Sequence, residues 1–128
     1  MTLRAFRNRE FQKFAKTEGI TEADLWAAVD EVEAGLVDAR LGGFLIKKRV
    51  ARPGEGKRSG YRTIMAHRQG SRLFLLYGFA KKDRDSISEQ ERRALKALGE
   101  VYMGLGDAGL EDAIKAGILL ELKARKAV

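Results

Sequence analysis

Apolar positions in the first third of the chain recur at helical spacing. Phe6, Phe11, Phe14 and Ala15 mark one face of a first helix over about Asn8 to Lys16, and most of its charges fall on the other side. Gly19 ends it. Thr21, three residues before Asp24, is an N-cap signature, and Leu25, Val29, Val32 and Leu36 follow as a buried stripe. Two helices so closely joined predict an antiparallel hairpin, with Trp26 beside the stripe and packed against a sheet. Gly35, Gly42 and Gly43 then punctuate a change from helix to strand.

From Phe44 the pattern alternates. In a strand over Phe44 to Ala51, one face carries Phe44, Ile46, Lys48 and Val50, and the other carries Leu45, Lys47, Arg49 and Ala51. The stretch from Arg52 to Gly60 is too rich in glycine and charge for a sheet interior and predicts a basic loop. Tyr61 to Arg68 reads as a second strand, with Arg62, Ile64, Ala66 and Arg68 pointing one way and Tyr61, Thr63, Met65 and His67 the other. Gln69-Gly70-Ser71 turns into Leu73 to Phe79, whose nearly unbroken apolar run suits the middle of the sheet.

Ser88, with Glu91 three residues on, opens another helix, in which Ala94, Leu95, Leu98, Val101, Tyr102 and Leu105 keep a 3.6-residue period. Gly104 and Gly106 interrupt it. Asp107 is positioned to cap a shorter helix through Lys115, and Ile118 to Leu122 reads as a terminal strand. The predicted class is α+β, one domain over residues 1–128, with helices on one face of a small antiparallel sheet and the other face partly open.

Charge changes this picture. Twelve Lys or Arg against Glu55 and Asp83 lie between Lys47 and Arg84, a net of +10, so the remainder sums to −3 within an overall +7. One basic block on a slightly acidic body concentrates polyanions and steers their approach. Lys47, Lys48, Arg49, Arg52, Lys57, Arg58, Arg68 and Arg84 are its candidate RNA-binding residues. Cysteine is absent and His67 is the only histidine, which excludes a disulfide framework, thiol chemistry and a His/Cys metal centre; no cofactor is expected. No apolar run reaches the roughly 18 residues of a membrane span, and the start lacks the apolar core of a secretory signal, so a cytoplasmic location is expected.

RNA cleavage by its own 2′-hydroxyl needs an acceptor for that proton, a donor for the departing 5′-oxygen and cations against the phosphorane. Arg62 suits the last role. His67, Tyr77, Lys81 and Lys82 are the candidate proton-transfer groups. Tyr61, Tyr77 and Phe79 are rings for stacking on unpaired bases or for core packing.

The helical pair, Gly42-Gly43 leading into IKKRVAR, Gly60-Tyr61-Arg62, and LLYGFAKKDRDSIS before a helix starting SEQERRALKAL together resemble the RelE/HigB superfamily of bacterial type II toxins, in its RelE-like phage and plasmid branch. The resemblance spans about residues 9 to 122. It implies a ribosome-dependent, metal-independent mRNA endonuclease held in check by an antitoxin, here expected to be a small helix-turn-helix protein. It also implies that Arg62 supports the scissile phosphate, with Arg49 on the preceding strand and the Lys81-Lys82 pair as further basic site residues. The C-terminal stretch LLELKARKAV lacks the family's catalytic tyrosine. The gyrase-directed ParE toxins share this fold, so a gyrase poison and a non-catalytic RNA-binding module are the alternative readings.

Overall fold

The computed structural model describes residues 3–51 and 60–123. Along the chain run β1 (Arg4–Asn8), α1 (Arg9–Glu18), α2 (Glu22–Glu33), β2 (Ala39–Gly42), β3 (Leu45–Val50), β4 (Tyr61–Arg68), β5 (Arg72–Ala80), α3 (Glu89–Met103), α4 (Asp107–Lys115) and β6 (Leu119–Glu121). The strands form a six-stranded sheet in the order β2-β3-β4-β5-β1-β6. The three consecutive strands predicted between Phe44 and Phe79 are β3, β4 and β5, and they pair antiparallel. The sheet is nevertheless mixed, because β1 lies parallel to β5 and antiparallel to β6.

β1 corrects the reading of the N-terminus, where Phe6 belongs to a strand. Ala5 and Phe6 point to opposite faces and both are buried, so neither face shows a polar alternation. Asn8 closes the strand and caps α1: its Oδ1 accepts from the Phe11 N–H at 2.8 Å, while its Nδ2 donates to the Leu76 carbonyl at 3.0 Å. α2 opens with the expected Thr21–Asp24 capping box. Leu25, Val29 and Val32 are buried as predicted, but the helix stops at Glu33 and leaves Leu36 exposed.

Helices cover both faces of the sheet, not one. α1 and α2 pack over a core that includes Phe11, Leu25, Val29, Val32, Ile46, Met65, Leu73 and Leu75. Trp26 lies in that core, and its Nε1 donates to the Lys123 carbonyl at 3.0 Å. α3 and α4 cover part of the opposite face, over Phe6, Leu45, Ile64, Ala66, Phe74 and Leu76. α3 carries the predicted Ser88–Glu91 capping box and buries Tyr102, whereas Val101 is solvent-facing. Asp107 is the first residue of α4 and not its cap; Gly106 holds that position without a side-chain bond.

Close approach explains two glycines. A Cβ on Gly78 would lie 2.4 Å from the Phe14 ring, and one on Gly99 would lie 3.0 Å from the Ala66 Cβ, so each lets a helix settle onto the sheet.

Candidate nucleic-acid interface

Part of the basic block lies along β3 and β4 on the face that α3 partly covers. Register aligns Arg49 with Arg62 and Arg62 with Phe79, and in the next row Lys47 with Ile64 and Ile64 with Tyr77. Directly opposed residues sit roughly 4.5–5.5 Å apart across a sheet, and diagonal neighbours roughly 7–8 Å apart. Lys47, Arg49, Arg62, Tyr77 and Phe79 therefore share one face within the span of a phosphodiester linkage and its neighbours.

Tyr77 reaches this face through an irregularity. Ile64 pairs with Tyr77 while Met65 pairs with Leu75, so β5 holds one extra residue, Leu76, opposite β4. This bulge gives Leu76 and Tyr77 the same side of the sheet, against α3, although they are consecutive. Strict alternation would have turned Tyr77 under α1.

Arg62 is only 8% exposed, which befits a cation fixed by its surroundings, whereas Arg49 is exposed and held beside Asp38 at 3.3 Å. Lys81 and Lys82 follow β5 in an exposed turn at the border of the same face. Arg84 is committed to internal contacts. Its Nη1 donates to Glu91 at 3.0 Å and to the Tyr77 hydroxyl oxygen at 3.3 Å, its Nη2 donates to Glu91 at 2.5 Å, and its Nε donates to the Ser86 carbonyl at 2.9 Å. The guanidinium also lies 5.5 Å from the centre of the Phe79 ring. Arg84 thus braces the site instead of presenting a free fork to phosphate, and Phe79 is buried beneath it.

Other candidates lie elsewhere. His67 projects from the α2 face and meets Glu33 at 2.5 Å, and Glu33 also accepts from the Gly70 N–H. This ties the β4–β5 turn to the end of α2 and does not bring His67 together with Arg62. Lys48 has the same facing and is nearly buried, with its Nζ donating to the Leu36 carbonyl at 2.9 Å and lying 3.2 Å from Glu31. Tyr61 is a core residue packed edge-on against Phe14. Arg68 stacks on Phe44 at the far end of β4, roughly 20 Å along the strand from Arg62. Arg52, Lys57 and Arg58 lie outside the described residues.

The brace has a pH signature. The Arg84 fork, and after it the Ser88 backbone N–H, hold the Glu91 carboxyl down to about 2. A carboxyl depressed on folding contributes stability above its unfolded value of about 4.3 and loses that contribution as pH falls through the folded value. Melting temperature followed from about pH 5 down to about pH 2 should therefore fall more steeply for the native chain than for Glu91→Gln. Parallel profiles would show that the fork contributes nothing to folding.

Among the described residues, no three His, Cys, Asp or Glu side chains are grouped to hold a metal ion, and no helix is long and apolar enough to cross a membrane. The arrangement can bind phosphate through Arg49, Lys47 and the fixed Arg62, and it offers a tyrosine hydroxyl beside them. No curated protein matches the chain significantly. A family model described as the RelE toxin of the RelE/RelB toxin-antitoxin system matches residues 3–122. That match covers every strand and helix described above, and the chain therefore belongs to the RelE toxin family, whose members are the toxins of toxin-antitoxin systems.

Proposed function

We propose that this toxin inhibits translation as a ribosome-dependent endonuclease, cutting mRNA by attack of the 2′-hydroxyl on the adjacent phosphate without a metal. The observation that carries the reading is the aligned Arg49–Arg62–Phe79 row beside Lys47–Ile64–Tyr77. A fixed guanidinium is suited to the extra negative charge of a phosphorane, because its donors are aimed before that charge develops. Lys81 and Lys82, on the exposed turn, extend the cationic border toward the flanking message or ribosomal RNA and are further candidates for proton exchange.

The same face suits an antitoxin. An acidic segment laid over Lys47, Arg49 and the lysine pair would occupy the seats of the phosphates and gain charge-assisted hydrogen bonds.

The test is to add purified toxin to a cell-free translation extract and follow message integrity. Message cut only when ribosome-bound supports the proposal. Message left intact while gyrase is converted into a DNA-breaking complex would establish the ParE-like alternative, and salt-dependent RNA binding without cutting would establish a non-catalytic module.

A further inference from the structure

Among the described residues, the Tyr77 hydroxyl has one side occupied and one side unused. Arg84 Nη1 donates to its oxygen, and a guanidinium has no acceptor, so the phenolic hydrogen must point away from Arg84. None of the described hydrogen bonds takes that hydrogen, and the half-buried ring stands on the face of Arg62 and Lys47. The brace behind it is built in series: the Ser88 N–H and Arg84 both bind Glu91, Glu91 anchors the start of α3, and Arg84 spans from Glu91 to Tyr77.

Resting on the nuclease reading, we infer that Tyr77 is the general acid of the cleavage, and that Arg84 and Glu91 are its positioning residues. The 2′-oxygen bonds to phosphorus as its proton passes to water. The P–O5′ bond then breaks, and its electron pair takes the Tyr77 proton, leaving a 2′,3′-cyclic phosphate on one fragment and a 5′-hydroxyl on the other. The phenolate faces the Arg84 guanidinium, whose hydrogen bond strengthens as the charge appears, and water returns the proton. Glu91 keeps the guanidinium from swinging onto the substrate, which leaves phosphate binding to Arg62, Arg49 and Lys47.

Replacing the departing 5′-oxygen with sulfur tests this, because a thiolate leaves without protonation. On ribosome-bound message of ordinary linkage, Tyr77→Phe should slow single-turnover cleavage by about a hundredfold or more. On the same message with a 5′-bridging sulfur at the mapped cut, it should cleave within about threefold of the native chain, since only the proton transfer is missing. Arg84→Ala should show the same selective loss at smaller size, about tenfold, and add nothing to Tyr77→Phe in the double variant. Equal losses on both linkages would make Tyr77 structural, and an undiminished rate on the ordinary linkage would remove it from the chemistry; either result overturns the inference while leaving the nuclease reading intact. A native chain that cuts neither message overturns both.

Discussion

Arg62→Ala is expected to lower single-turnover cleavage of ribosome-bound message by about a hundredfold or more, a loss of about 2.7 kcal/mol in transition-state stabilisation. The reason is placement. Arg62 sits within β4, between Arg49 and Phe79, and is buried, so its charge is fixed where that of a steering residue on an exposed turn would move. Affinity for the ribosome should fall only modestly, because long-range attraction is shared among many cations and depends little on any one of them. Arg62→Lys should recover part of the rate, since it restores the charge but not the two-pronged geometry. An Arg62→Ala variant that cuts at the native rate when saturated would reduce the residue to a docking charge.

Phe74→Ala is expected to have the largest effect on folding, a loss of about 3–5 kcal/mol. Phe74 is fully buried in β5, with its ring 5.2 Å from that of Phe6 and 5.3 Å from that of Tyr102. It joins the N-terminal strand to α3 across the centre of the sheet, and neither neighbour can collapse into the space without pulling its own element inward. For a domain of this size the melting temperature should drop by roughly 10–20 °C. Calorimetry checks this, and a shift of only a degree or two would mean that the α3 side of the core is loosely packed.

Elements and site residues differ in how far the sequence alone reveals them. β4 is readable to the residue, as are the Thr21 and Ser88 caps, because each signal is local: alternation of side chains, or a hydroxyl three positions from a carboxylate. β1 is not, because a strand buried on both faces has no polar side, and its Phe6 falls at a helical interval, i to i+8, from Phe14. β2 is a four-residue edge strand, ARLG, whose alternation of Ala39 and Leu41 with Arg40 and Gly42 is too short to reveal it. At the site, parity within β4 sets His67 opposite Arg62, whereas the facing of Lys48 follows only from its pairing with Thr63; both are candidates by the chemistry of an imidazole and an ammonium. Tyr77 was named for its hydroxyl, but its facing depends on the bulge at Leu76, which arises from pairing between strands and leaves no mark in β5 by itself. The Arg84–Glu91 brace joins residues seven apart across a turn and a helix start, and a basic cluster read along the chain counts Arg84 as one more free charge.

The way the message is broken tests the nuclease reading most directly. Toxin should be added to ribosomes paused on a defined message and the termini of the fragments determined. Attack by the 2′-hydroxyl predicts upstream fragments ending in a 2′,3′-cyclic phosphate and downstream fragments beginning with a 5′-hydroxyl, formed only with ribosomes present and suppressed by Arg62→Ala. Upstream fragments ending in a 3′-hydroxyl, or a message that stays whole while translation stops, would contradict it.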